Sequence, residues 1–232
     1  MSQSNSKKLI ADQKAWSEVA KELESENLKL ASYDNTLVSV IGDVRGKKVL
    51  DYGAGPGVFA LGLYKMGADV KAWDINREMR EKAGAKIGSE KIYNELSRIP
   101  QSFFDIIICN LVLCIVPEAE VRNIVGNIKN LLNESGSAYI GFCNPKIFQV
   151  AESNLDFRFP TGHTYEENHN YKKIKKEGGY EIVEIHRPIE WYESVYAEAC
   201  LKLMGIYFTP EYELRGNKIK DFIIFELNFN HS

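Results

Sequence analysis

Cysteine and histidine are both scarce in this chain of 232 residues, with four of each. Cys109, Cys114, Cys143 and Cys200 form no CxxC pair and fall mostly within apolar runs. That excludes a disulfide scaffold and reads as buried, reduced thiols. His163, His169, His186 and His231 lack the spacing of metal ligands, so no metal is expected. Nor is there an excess of charge. A net charge of −3 argues against a large nucleic-acid footprint, and the longest basic cluster, Tyr171–Gly179, is short enough to be a solvated hairpin. No apolar run approaches membrane-spanning length, and the polar start "MSQSNSKKLIADQ" has no signal-peptide core. A cytoplasmic protein with no membrane partner is expected. Internal repeats and low-complexity segments are missing too.

What is present is a hydrophobic content of 44%, enough for one domain with a full core. Residues 1–10 read as a disordered tail and 11–232 as a single domain. Over Ala11–Leu30, Trp16, Val19, Ala20, Leu23 and Leu30 recur at roughly helical spacing. "SYDNTLVSVIG" reads as a second short helix, capped by Asp34 and stopped by Gly42. The pattern then alternates. Strand "KVLDY" precedes a glycine turn and a helix over Val58–Met66, and strand "ADVKAWD" precedes helix "INREMREKAGAKI". "KIYNEL" reads as a short strand and "FFDIIICNL" as a fully buried one. A helix follows, with Pro117 near its start and Gly136 past its end, and then strand "SAYIGFC". Strands alternating with helices mean βαβ units and a largely parallel sheet. From Asn144 to Arg187 the alternation stops, and "YKKIKKEGGYEIVEI" reads as a hairpin turning at Gly178-Gly179. "IEWYESVYAEACLKLMG" reads as a helix, and the remainder as two strands around Arg215-Gly216-Asn217.

The chemistry concentrates in "KKVLDYGAGPGVFALGLYKMGADVKAWDIN". Gly53, Gly55 and Gly57 are spaced G-x-G-x-G, and Val58 stands where a dinucleotide fingerprint would have its third glycine. Asp51, immediately before the loop, is a poor neighbour for a pyrophosphate and a good one for a cation. S-adenosylmethionine carries an ammonium and a sulfonium and no phosphate, so it fits. Asp74, at the end of the second strand, suits a pair of ribose hydroxyls, a feature shared with nicotinamide-binding folds. Taken singly, Asp51, Asp74 and Asn110 have plainer readings as turn, helix and loop caps. On three successive strand ends of one parallel sheet they read better as a ligand site.

"VLDYGAGPGVFA", Asp74, "FFDIIICNLVLCIV" and "LLNESGSAYIGF", in that order, resemble the class I S-adenosylmethionine-dependent methyltransferases over about Lys47–Cys143. "HRPIEWYESVYAEACLKLMGI" is similar to the segment after the fifth strand in small-molecule members. The resemblance implies an α/β, Rossmann-like, seven-stranded and mostly parallel sheet with flanking helices and an antiparallel last strand. An N-terminal helical cover (11–42) and a hairpin-containing lid after the fifth strand (144–190) would complete it. It also implies that Asp51, Gly53, Gly55 and Gly57 line the methionine end of S-adenosylmethionine. Asp74 would take the ribose and Ile75 the adenine ring. Glu95 and Leu96 would stand near the adenine amino group, and Asn110 and Leu111 beside the methyl.

Substrate would lie under the cover and lid, whose aromatics include Tyr33, Trp191 and Tyr192. His186, in the His-Arg-Pro turn, and then His163, in "TGHTY", are the candidates for a base or acceptor-orienting group. "CNLVLCIV" lacks the Pro-Pro-aromatic run common in methyltransferases of nucleic-acid bases, and no paired-glutamate loop suits a protein arginine. A small-molecule oxygen or nitrogen acceptor is the favoured reading. A nicotinamide-dependent oxidoreductase and a non-catalytic S-adenosylmethionine-binding protein stand as alternatives. The sequence leaves the oligomeric state open.

Overall fold

A computed structural model describes residues 31–149, 156–158, 162, 164–175 and 180–229. The helix read over Ala11–Leu30, the tail before it, His163 and the Gly178-Gly179 turn lie outside the described residues.

Helix α1 (Ala31–Ile41) is followed by β1 (Lys48–Tyr52), α2 (Val58–Lys65), β2 (Asp69–Trp73) and α3 (Arg77–Ile87). Then come β3 (Phe104–Asn110), α4 (Glu118–Leu131) and β4 (Leu132–Cys143). Strands β5 (Asp156–Arg158), β6 (His169–Lys175) and β7 (Tyr180–His186) form a separate antiparallel sheet. Helix α5 (Ile189–Glu198) leads into β8 (Leu201–Phe208), the small hairpin β9 (Tyr212–Leu214) and β10 (Asn217–Ile219), and β11 (Phe222–Phe229). The main sheet has the order β2-β1-β3-β4-β11-β8. Its first four strands are parallel, and β11 runs antiparallel to both neighbours.

The apolar runs are long because the sheet is covered on both faces. Side chains alternate along each strand, so Ile106 and Ile108 join Val49 and Ile224 in a cluster under α1, α2 and α3. Ile107 and Cys109 join Leu50, Ile223 and Phe225 in a second cluster under α4 and α5. Helix α4 shows the matching period: Val121, Ile124, Val125, Ile128 and Leu131 are its buried residues.

Several local expectations need correction. Among the described residues, six strands form the main sheet where seven were expected. "KIYNEL" supplies only an isolated parallel bridge, Ala72 to Ile92, in the place of the seventh, because short helical turns at Ser89–Lys91 and Leu96–Arg98 flank it. Gly136 does not end α4: the chain passes straight into β4 at Leu132, and Gly136 lies inside that strand. A Cβ there would approach the Phe104 carbonyl oxygen to 2.8 Å, so the close approach of β3 explains the glycine. Asp34 lies within the first turn of α1 rather than at a cap. The helix begun at Ile189 stops at Glu198, so "LKLMG" belongs to β8.

Candidate functional site

The carboxyl ends of β1, β2 and β3 bring Asp51, Asp74 and Asn110 to one edge of the sheet, where ligands of open α/β sheets bind. Gly53 and Gly55 both have positive φ, 78° and 52°, which an L side chain rarely adopts. At Gly53 there is a second reason: a Cβ would stand 2.5 Å from Val112 Cγ2. The Gly53 and Ala54 N–H groups both donate to the Trp73 carbonyl, at 2.8 and 3.0 Å, which closes the loop against the end of β2.

Asp74 ties the loop to the next helix. Its Oδ2 accepts from the Gly55 N–H at 2.9 Å and its Oδ1 from the Asn76 N–H at 2.8 Å. Asn76 in turn caps α3, accepting from the Met79 N–H at 3.0 Å. Arg80 supports the same turn from within α3, donating to the Asp74 and Ile75 carbonyls at 2.7 and 3.0 Å. Burial raises the Asp74 carboxyl above its usual value, and the two backbone N–H groups oppose the rise. A carboxylate has about four lone-pair sites, so two N–H donors leave room for hydroxyl donors. Beside it, Ile75 is 59% exposed, an apolar side chain open to solvent just past the end of β2.

Asp51 has the opposite environment. It is buried, and its Oδ2 has no hydrogen-bond partner among the described residues. Burial first, and then the charge of Asp74, push its carboxyl up to about 7. The Ala60 backbone N–H opposes the rise, but a buried carboxylate with one oxygen lacking a donor is costly unless a cation or a proton is supplied. The site therefore favours a cationic group beside Asp51.

Asn110 closes the third corner. The Tyr33 hydroxyl donates to its Oδ1 at 2.9 Å, which leaves Nδ2 as the donor of that side chain. Leu111, the next residue, has a positive φ of 56°, and its N–H is held by the Gly141 carbonyl at 2.8 Å. A non-glycine residue in that conformation is strained, as residues lining functional sites often are. Glu95 is exposed and paired with Arg98 at 3.5 Å, while Leu96 is half-buried against the core under α4 and α5.

An open groove of about 720 Å³ is lined by Tyr165, Glu166, Glu167, Asn168, Pro188, Glu190 and Trp191. His186 is buried, with Nε2 against the Tyr165 carbonyl at 2.7 Å and its ring stacked on His169. A carbonyl only accepts, so Nε2 carries the proton. Burial depresses the His186 pKa, and the bond to Tyr165 opposes that shift. Tyr165 also accepts from the Ile189 N–H at 2.9 Å and donates to Glu190 at 3.0 Å. Of the aromatics read as substrate contacts, Trp191 lines this groove. Tyr33 and Tyr192 are interior: Tyr33 packs on Phe222 at 4.8 Å and Tyr192 on Phe142 at 4.5 Å.

Sequence reasoning gave one residue a different role and missed another. Tyr33 was legible as an aromatic of the cover but not as the partner of Asn110. Arg187 was legible only as part of the His-Arg-Pro turn. Among the described residues it is the largest fully buried side chain, and its guanidinium donates to the Leu113 and Val116 carbonyls at 3.0 and 2.7 Å.

The family model of the methyltransferase domain matches residues 19–185 of this sequence. No curated protein matches it. Among solved structures, an S-adenosylmethionine-dependent methyltransferase from Mesorhizobium loti is 17% identical, with a TM-score of 0.64 over 87% of this chain and 99% of that one. Another, from Clostridium acetobutylicum, is 16% identical, with a TM-score of 0.59 over 93% and 98%. The 1,6-didemethyltoxoflavin-N1-methyltransferase of Burkholderia thailandensis, solved with that compound and S-adenosylhomocysteine, is 14% identical. Its TM-score is 0.57, over 92% of this chain and 83% of that one. At these identities the likeness carries the fold.

Proposed function

Because the chain belongs to the methyltransferase domain family, we propose that it methylates a small molecule at an oxygen or nitrogen atom, with S-adenosylmethionine as cofactor. The observation that carries the cofactor reading is Asp51, a buried carboxylate with an unpartnered oxygen beside a glycine loop that offers no phosphate cradle with a third glycine. Asp51 would face the cofactor's ammonium, and Asp74 would accept from the ribose hydroxyls. Ile75 would lie against the adenine, and Asn110 would stand beside the reacting end.

When bound, S-adenosylmethionine supplies an electrophilic methyl on a sulfonium. What the chain contributes is alignment and dryness, and well-oriented reactants are worth roughly 7–11 kcal/mol of barrier. Asn110 is held in one orientation by Tyr33, so its amide is set before any ligand arrives. The groove beside α5 is of a size suited to a small molecule, and Trp191 and Tyr165 give it apolar walls. His186 fixes the Tyr165 carbonyl and hence that wall. The Burkholderia thailandensis enzyme, with its small-molecule substrate on the same fold, supports this acceptor class.

The test is a side-by-side calorimetric titration with S-adenosylmethionine, S-adenosylhomocysteine and NAD, followed by transfer of a labelled methyl to a panel of small phenols, carboxylates and amines. Binding of the first two ligands and label on at least one acceptor is expected. NAD binding alone would return the chain to the oxidoreductase reading. Tight cofactor binding with no label on any acceptor would favour a non-catalytic role.

A further inference from the structure

We propose that Arg187 is a positioning residue for methyl transfer: it clamps the turn after β3 to the start of α5 and so holds the cofactor side and the acceptor side of the site together. The proposal rests on the methyltransferase reading above.

The turn in question spans Leu113–Ile115 and directly follows Asn110 and the strained Leu111. Its two ends are what Arg187 holds. Nη1 takes the Leu113 carbonyl and Nη2 the Val116 carbonyl, while Nη1 also reaches the Tyr192 hydroxyl at 3.5 Å. The planar fork of a guanidinium sets two nitrogens in fixed geometry, one for each carbonyl, whereas an ammonium is a single point charge on a flexible stem. The Trp191 ring covers the guanidinium, 4.9 Å from its centroid.

Each neighbour of this clamp belongs to one side of the site. Val112, at the near edge of the turn, occupies the space where Gly53 would carry a Cβ, so the turn sets one wall of the glycine loop. Pro188 and Trp191, adjacent to Arg187 in the chain, line the groove. A side chain only 2% exposed, bonded to backbone carbonyls 74 and 71 residues away, joins these two walls. Displacing a methyl in line requires the two sides to stay in register.

Arg187→Met and Arg187→Lys in the full chain test this through hydrogen exchange and S-adenosylhomocysteine titration, neither of which needs the acceptor. The Leu111 and Ile115 amides are held by the Gly141 and Val112 carbonyls and report on the turn. In Arg187→Met their exchange is expected to speed up about tenfold or more, with Ile107 at the centre of β3 unchanged and S-adenosylhomocysteine binding about three- to tenfold weaker. Arg187→Lys keeps the charge but puts one flexible ammonium where two fixed nitrogens stood, so it should fall between. Wild-type exchange and affinity in Arg187→Lys would overturn the clamp, and so would a uniform rise that includes Ile107. If Arg187→Met does not fold, Arg187→Lys decides alone. Failure of the wild-type protein to bind S-adenosylhomocysteine would instead strike the methyltransferase reading, while the exchange data would still decide the clamp.

Discussion

The Tyr33 hydroxyl donates to Asn110 Oδ1 at 2.9 Å, joining residues 77 apart in the chain. The contact needs Gly141, because a Cβ there would overlap the Tyr33 hydroxyl. A helix of the N-terminal cover thus lies against β3 and β4 and sets a side chain beside the candidate methyl position.

Tyr33→Phe keeps the packing on Phe222 and removes only the donor. Asn110 is half-buried and water can partly replace the bond, so the loss of stability should be about 1 kcal/mol. Turnover is expected to fall about tenfold with S-adenosylhomocysteine affinity nearly unchanged. Steady-state kinetics beside a calorimetric titration would check it. An affinity loss as large as the loss of turnover would assign Tyr33 to cofactor binding instead.

Asp51 predicts a pH dependence. Its carboxyl is raised from 3.8 to about 7, by burial first and then by Asp74. A folded-state value above the unfolded one means a contribution to stability fully present below the unfolded pKa and lost as pH rises through about 7. The ligand-free protein should therefore melt at lower temperature on going from about pH 5 to pH 8, and Asp51→Asn should flatten that decline. S-adenosylhomocysteine carries the ammonium that the ionised form wants, so its affinity should rise over the same range and stay weak and flat in Asp51→Asn. Melting curves and titrations at both ends of the range test this. Wild-type affinity that ignores pH would remove Asp51 from the ammonium role.

His186 offers a choice between two roles. A general base typically contributes about 10²–10⁴-fold, and glutamine would replace it no better than alanine. A donor to the Tyr165 carbonyl can be replaced by a glutamine amide. The proton on Nε2 favours the second role. His186→Gln should keep turnover within about threefold of wild type, while His186→Ala loses about tenfold. Equal losses of a hundredfold or more in both variants would restore His186 as the base.

Much of this site was legible before any coordinates. "KVLDY", "DVKAW" and "FDIIICN" are strands because their apolar residues have partners on both faces, and that pattern is local. Asp51 and Asp74 declared themselves by standing on either side of a glycine turn. "KIYNEL" failed because the flanking helical turns leave it one bridge. Gly136 failed because its reason is a strand passing close by, and no local pattern carries that.

The sequence by itself determined the alternation of strands and helices and the placement of two carboxylates and three glycines at the strand ends. Strand period, turn chemistry and helix capping depend on neighbours within a few residues. Tertiary structure alone decided which polar groups are satisfied. Asp51 keeps an open oxygen while Asp74 is engaged, Tyr33 is assigned to Asn110, and Arg187 to the turn after β3. The physical reason is distance along the chain. These bonds join residues 19 to 77 positions apart, and a hydrogen bond of that span exists only once the sheet has brought its ends together.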